Sequence, residues 1–215
     1  MKKLGVYLLT FTFLFINVIN VTTQESDSGL INALKTNKGI LLIYNKDKNN
    51  FKFEIECKDA FPFDPESMAF LIDKRFFQLV IVPINEVIRK PIANMTDIEI
   101  LTAHKNFEMD YIYEVSGMNF TTKIDTIINN QNRKFLYWEL NIPLTPQDTA
   151  SDIIKTKLYM NTLLDDEILS LSMAVTVNDN SDEARKLLKS ISQNFEHTIT
   201  SYNVEQIADS LKAIK

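Results

Sequence analysis

Residues 167–196 read EILSLSMAVTVNDNSDEARKLLKSISQNFE. The first ten alternate: Leu169, Leu171, Met173 and Val175 point one way, Ser170, Ser172, Ala174 and Thr176 the other, as expected of a β-strand. At Asn180 the period changes. Ala184, Leu187, Leu188, Ile191 and Phe195 then recur at helical spacing. Asn180 and Glu183 have the spacing of a capping box, in which each side chain satisfies a free backbone donor of the first helical turn. A strand running straight into an amphipathic helix is the signature of a helix laid on a sheet.

Upstream, the strand patterns come in pairs. Ile153 to Leu163 and Glu167 to Val177 flank Leu164-Asp165-Asp166 as a hairpin. Phe120 to Ile128 and Arg133 to Ile142 flank a polar NNQN turn. Within the latter strand Leu136, Trp138, Leu140 and Ile142 share one face, and Phe135 and Tyr137 the other. Met68 to Ile72 and Phe76 to Val82 form another hairpin around Asp73-Lys74-Arg75, ended by Pro83. Gly39 to Tyr44 reads as a buried strand. Phe51, Phe53, Ile55 and Cys57 alternate with Lys52, Glu54, Glu56 and Lys58, which makes a half-wet partner for it. Phe61-Pro62-Phe63-Asp64-Pro65 reads as a loop because two prolines flank it.

Thr96 and Glu99 open a mid-chain helix with a capping box. Ile100, Leu101, His104, Phe107 and Tyr111 lie on one face of it, and it ends before Gly117. Asn203 and Gln206 open a last helix with Val204, Ile207, Ala208, Leu211 and Ile214. Hairpins, a helix, more hairpins and terminal helices predict an α+β fold: an antiparallel sheet built of hairpins with helices packed on it, not a parallel βαβ sheet.

The chain has 215 residues, 45% hydrophobic and 24% charged, with a net charge of −5. These values suit one globular domain. Met1-Lys2-Lys3 followed by the uncharged run Leu4 to Ile16 reads as a signal peptide, with cleavage between Asn20 and Gln24; the alternative is an uncleaved anchor. The expected organisation is a signal peptide over 1–23, a linker or short helical turn over 24–35 carrying Leu30, Ile31 and Leu34, and one α+β domain over 36–215. The mature chain is expected to be secreted or periplasmic and to have no membrane span.

The order of elements resembles the Mog1/PsbP-like α/β sandwich, of the exported bacterial type. The resemblance is carried by GILLIYNKDKNNFKFEIE, RKFLYWELNIP and the strand–helix stretch 167–196, and spans residues 36 to 197. It implies an αβα sandwich and a role in binding or assembly, such as partnership with small GTPases or photosystem subunits. No motif here matches the family's functional residues, so the resemblance assigns none.

Chemistry-bearing residues are sparse. Positive charge is dispersed, which argues against nucleic acid as partner. With 4 glycines, a glycine-rich phosphate cradle is not expected, nor is any other cofactor site. The two histidines, His104 and His197, lack metal-ligand spacing. His104 lies on an apolar helix face; paired with Asp110 or Glu108 it is the candidate base of a hydrolase with a non-contiguous site. His197, after the last turn of its helix, reads as a cationic cap. Asp64 with Glu66, and Asp165-Asp166-Glu167, lack the glycine and distal glutamate of a calcium loop and read as turns. Cys57, the single cysteine, is expected to be structural, since Glu54, Glu56 and Asp59 disfavour a thiolate. Asn94 and Asn119 head glycosylation sequons.

The candidate partner surface is Phe135, Tyr137 and Tyr159, placed together on the sheet face opposite Trp138. Under a helix they would be core; on an open face they would anchor a partner. The expected function is thus an exported, non-catalytic binding or assembly protein of the cell envelope, whose partner is another envelope protein or a small apolar ligand.

Overall fold

The computed structural model describes residues 30–64, 68–84, 94–144 and 152–213. The signal-peptide reading, Glu66 and Ile214 lie outside these.

Two antiparallel sheets form. The smaller contains β1 (Leu30–Lys35), β2 (Gly39–Asn45), β3 (Asn50–Glu56) and β11 (Glu196–Thr198), in the order β1-β2-β3-β11. The larger contains β4 (Ala60–Asp64), β5 (Ala69–Ile72), β6 (Arg75–Pro83), β7 (Thr121–Ile128), β8 (Lys134–Asn141), β9 (Ile154–Leu164) and β10 (Glu167–Thr176), in the order β4-β5-β6-β10-β9-β8-β7. Among the described residues three helices accompany them: α1 (Asp97–Ser116), α2 (Ser181–Asn194) and α3 (Val204–Ala213). The α+β class with antiparallel hairpins and packed helices is as the sequence predicts.

The larger sheet has an apolar core on each face. On the first face, β2 and β3 of the smaller sheet and Ala184, Leu188 and Ile191 of α2 close over Leu169, Leu171, Met173 and Val175 of β10, with Phe135 and Tyr137 of β8. Phe195 ends α2 and stacks on Phe51 and Phe53 at 5.6 and 6.2 Å. On the second face, Ile100, Leu101 and Ile112 of α1 cover Leu136, Trp138 and Leu140 of β8 and Tyr159 of β9. Each helix starts where its cap dictates. Thr96 and Glu99 complete a reciprocal capping box, Asn180 accepts from the Asp182 and Glu183 amides, and Asn203 accepts from the Gln206 amide at 3.0 Å. Gly117 ends α1 in the left-handed conformation at φ 65°.

Glycine is required at position 39 by close approach. A Cβ there would lie 2.1 Å from the Ile55 carbonyl oxygen, so β2 and β3 approach only because Gly39 has no side chain. At the β5–β6 turn both Asp73 and Lys74 take positive φ, 46° and 68°, which matches the twist of a two-residue hairpin.

Three expectations need correction. Residues 30–35 form strand β1, not a helical turn. β2 is buried and needs a second partner for its backbone groups, and β1 supplies it from Leu30↔Asn45 to Lys35↔Ile40. The Phe61-Pro62-Phe63 segment is strand β4, not a loop; it pairs with β5 at the sheet edge, where a proline's missing donor can face solvent. In α1 the covered stripe is Ile100, Leu101, His104, Lys105, Glu108 and Ile112, while Phe107 is 47% exposed.

Candidate functional site

The three aromatics chosen from the sequence are not a surface. Phe135, Tyr137 and Tyr159 are 1%, 2% and 3% exposed. Nor do they share a face. Tyr159 is the direct cross-strand partner of Trp138 in the β8–β9 ladder, and opposed residues point the same way. Their rings stack at 3.8 Å under α1, whereas Phe135 and Tyr137 lie on the other side under α2.

Tyr137 belongs to a polar knot at the rim of the first-face core. Its hydroxyl donates to Glu139 Oε1 at 2.9 Å, and Arg185 of α2 grips both carboxylate oxygens at 2.9 and 3.0 Å. Burial pushes the Tyr137 hydroxyl's pKa up strongly, and the Glu139 charge adds to this. Burial works to raise the Glu139 carboxyl, but hydrogen bonds from Arg185 and Tyr137 outweigh it and hold it below the usual range. Lys189 completes the knot: its ammonium lies 4.4 Å from the Tyr137 ring centre and 2.9 Å from Asp125. This arrangement docks a helix.

A second polar group lies beneath α1. His104 is 2% exposed, and its Nε2 is 3.3 Å from Glu108 Oε1, one helical turn on; neither ring nitrogen makes an aligned hydrogen bond. Glu108 is thus the carboxylate that approaches His104. Facing them from β9, burial lowers the pKa of the Lys157 ammonium, against the pull of Glu108. Burial raises that of the Tyr159 hydroxyl, and Glu108 adds to the rise. Trp138 donates to Asn161 at 2.8 Å alongside. A general base must come within hydrogen-bond reach of a substrate proton; here α1 seals the imidazole.

His197 is not a cationic cap. It lies in β11 opposite Phe51, with Nδ1 2.9 Å from an Arg133 nitrogen. Burial and then the Arg133 charge lower its pKa, so the neutral ring is favoured. Arg133, which also donates to the Leu163 carbonyl, lines a shallow depression of about 300 Å³ with Asp97, Gln131, Asn132, Lys134, Thr162 and Leu163. Asp165 pairs with Lys48 at 3.6 Å, and Glu167 takes Lys46 and Asn49 at 2.9 and 2.7 Å, so these carboxylates tie the β9–β10 turn to the smaller sheet. Burial, followed by Asp73 and Asp59, raises the Cys57 pKa, which favours the unreactive thiol. Among the described residues there is no group of three or more His, Cys, Asp or Glu able to hold a metal ion.

Exposed aromatics occur in the segment whose prolines predict a loop. Phe61 and Phe63 of β4 are 59% and 52% exposed. Phe61 is paired with Leu71, and Leu71 with Phe76, so all three point to one side. Phe63 meets Phe76 edge-on at 5.4 Å. Leu71 and Phe76 are themselves only half-buried. This flank lies on the face that α1 covers further along, over β8 and β9. The signal available in the sequence was FPF beside LIDKRFF, apolar residues in excess of what one core face needs.

The fold and its surfaces thus define an α+β protein of antiparallel sheets with sealed polar knots and an open aromatic flank. No family model matches the chain, and no curated protein matches it. Among solved structures it is similar to the solution structure of cyanobacterial PsbP (CyanoP) from Synechocystis sp. PCC 6803, at 11% identity and a TM-score of 0.43, over 82% of this chain and 98% of that one. No helix among the described residues is long and apolar enough to cross a membrane.

Proposed function

We propose that the chain is an exported, non-catalytic binding or assembly protein of the cell envelope. It works by docking another envelope protein on the flank formed by Phe61, Phe63, Leu71 and Phe76. The observation that carries this is the 59% and 52% exposure of Phe61 and Phe63, beside Phe76, at a sheet margin that no helix among the described residues covers. Such a cluster costs solubility and is favourable when a partner removes it from water. Pro62 denies the strand edge a backbone donor at its centre, so recognition runs through side chains and not through an added strand. Export rests on Lys2-Lys3 and the apolar run Leu4 to Ile16.

The test is capture by the tagged native protein, wild type against Phe61→Ser/Phe63→Ser. The partner recovered with wild type should be lost with the double variant at unchanged thermal midpoint. Equal recovery contradicts the assignment of the flank.

One observation favours a second reading, a hydrolase around His104: the Lys157 ammonium and the Tyr159 hydroxyl, both shifted by burial, face the His104–Glu108 pair, and shifted groups concentrate at functional sites. Hydrolytic activity in wild type that vanishes in a folded His104→Ala variant would replace the binding reading.

A further inference from the structure

The opposite edge of the larger sheet has a different chemistry. β7 is eight residues long, contains no proline, and pairs only with β8 among the described residues. Its outer backbone groups therefore form a ready ladder for another strand. Ile124 and Ile128 on it are 54% and 56% exposed.

The strand TTKIDTII is also complementary to itself. In a two-fold antiparallel pairing, directly opposed residues must share a face, so the axis falls on a residue and each pairing is fixed by that choice. With the axis on Ile124, Ile124 meets Ile124 of the second copy. Lys123 then meets Asp125 twice, and Thr122 meets Thr126 twice. Moving the axis one residue either way sets Lys123 against Lys123 or Asp125 against Asp125, which is repulsive. The complementary register thus also places an exposed apolar side chain at the centre. Asp125 already accepts from Lys189 at 2.9 Å through Oδ2, so in the pairing its carboxylate bridges two ammonium groups.

We infer that β7 is a homodimerisation edge: two copies join antiparallel about Ile124, with reciprocal Lys123–Asp125 pairs, into one continuous sheet. This edge is separate from the aromatic flank, so dimerisation and partner capture are independently removable.

Cross-linking and sedimentation of the native protein test this. Under mild oxidation Ile124→Cys should form a disulfide dimer, because the residue opposes itself. Ile128→Cys should not, because it opposes Phe120; both variants retain Cys57 as an internal control. Lys123→Asp should raise the dimer dissociation constant at least about ten-fold, and Lys123→Asp/Asp125→Lys should restore part of it, limited by the new ammonium at position 125 meeting Lys189. The cross-linking arm needs no charge change, so it stands even if a charge variant misfolds. A monomer at about 100 μM in sedimentation, or equal cross-linking through residues 124 and 128, overturns the inference.

Discussion

The aromatics of β8 and those of β4 are of similar type and face opposite conditions. Phe135 and Tyr137 sit one strand in from the β7 edge, under α2, and are 1% and 2% exposed. Phe61 and Phe63 sit at the margin, on the other face, and are more than half exposed. Composition does not separate the two pairs. What separates them is which helix reaches them: α2 is fastened over β8 by Arg185 and Lys189, whereas α1 packs on β8 and β9. An aromatic pattern in a strand therefore specifies a face, and only the placement of helices decides whether the face is core or surface.

Variants on the two sides should behave in opposite ways. The largest effect belongs to the closed side. Tyr137→Ala should cost about 3–5 kcal/mol in denaturant unfolding, by analogy with other large buried aromatics. A loss near zero would show that α2 does not cover β8.

Next is the helix itself. Leu188 is 0% exposed, and Leu188→Ala should cost about 2–5 kcal/mol. Below about 0.5 kcal/mol, α2 would be peripheral and the contrast between the two sides would fail.

The Arg185 grip should give a smaller, pH-dependent effect. The Glu139 carboxyl is held below its usual range in the fold. Its contribution is therefore present above the unfolded carboxyl's value near pH 4.3, and is lost as pH falls through the lower folded value. Arg185→Gln should destabilise by about 1–3 kcal/mol at pH 7, allowing for the partial exposure of Arg185. Its deficit should shrink as pH falls below about 4. A deficit that is flat with pH would mean the pair does not fasten the helix.

The smallest stability effect belongs to the open side. Phe61→Ser should change the unfolding free energy by less than about 0.5 kcal/mol, since the ring is 59% exposed. A loss above about 2 kcal/mol would mark Phe61 as core and end the distinction.

Much of the fold could be read from the sequence because local signals and tertiary needs agree there. The caps at Thr96, Asn180 and Asn203, the β2–β3 alternation and the strand–helix passage at 167–196 are cases of this. The candidate surface could not be read. β9 is buried on both faces, so its run KLYMNTLL carries no alternation that fixes the phase of Tyr159. A tight turn does set the register of β9 on β10, but it is Asp165-Asp166 and not Leu164-Asp165-Asp166: Leu164 pairs with Glu167, which puts Tyr159 opposite Ser172 and off the Leu171 face. Phe61 and Phe63 were hidden by Pro62, whose local meaning is a loop and whose tertiary meaning is an edge strand. β1 was hidden because Leu30, Ile31 and Leu34 also fit helical spacing. His197 was misplaced because α2 ends at Asn194 and the chain turns at Phe195 into β11.

The most direct test of the proposed function is carbene footprinting of the native protein, once purified and once in the cell-envelope fraction where that proposal puts it. Phe61 and Phe63 should label strongly in the purified protein and be protected in the envelope, while Phe135 and Tyr137 stay unlabelled in both. Labelling of Tyr137 in the purified protein, or equal labelling of Phe61 and Phe63 in both preparations, would contradict docking through the open flank.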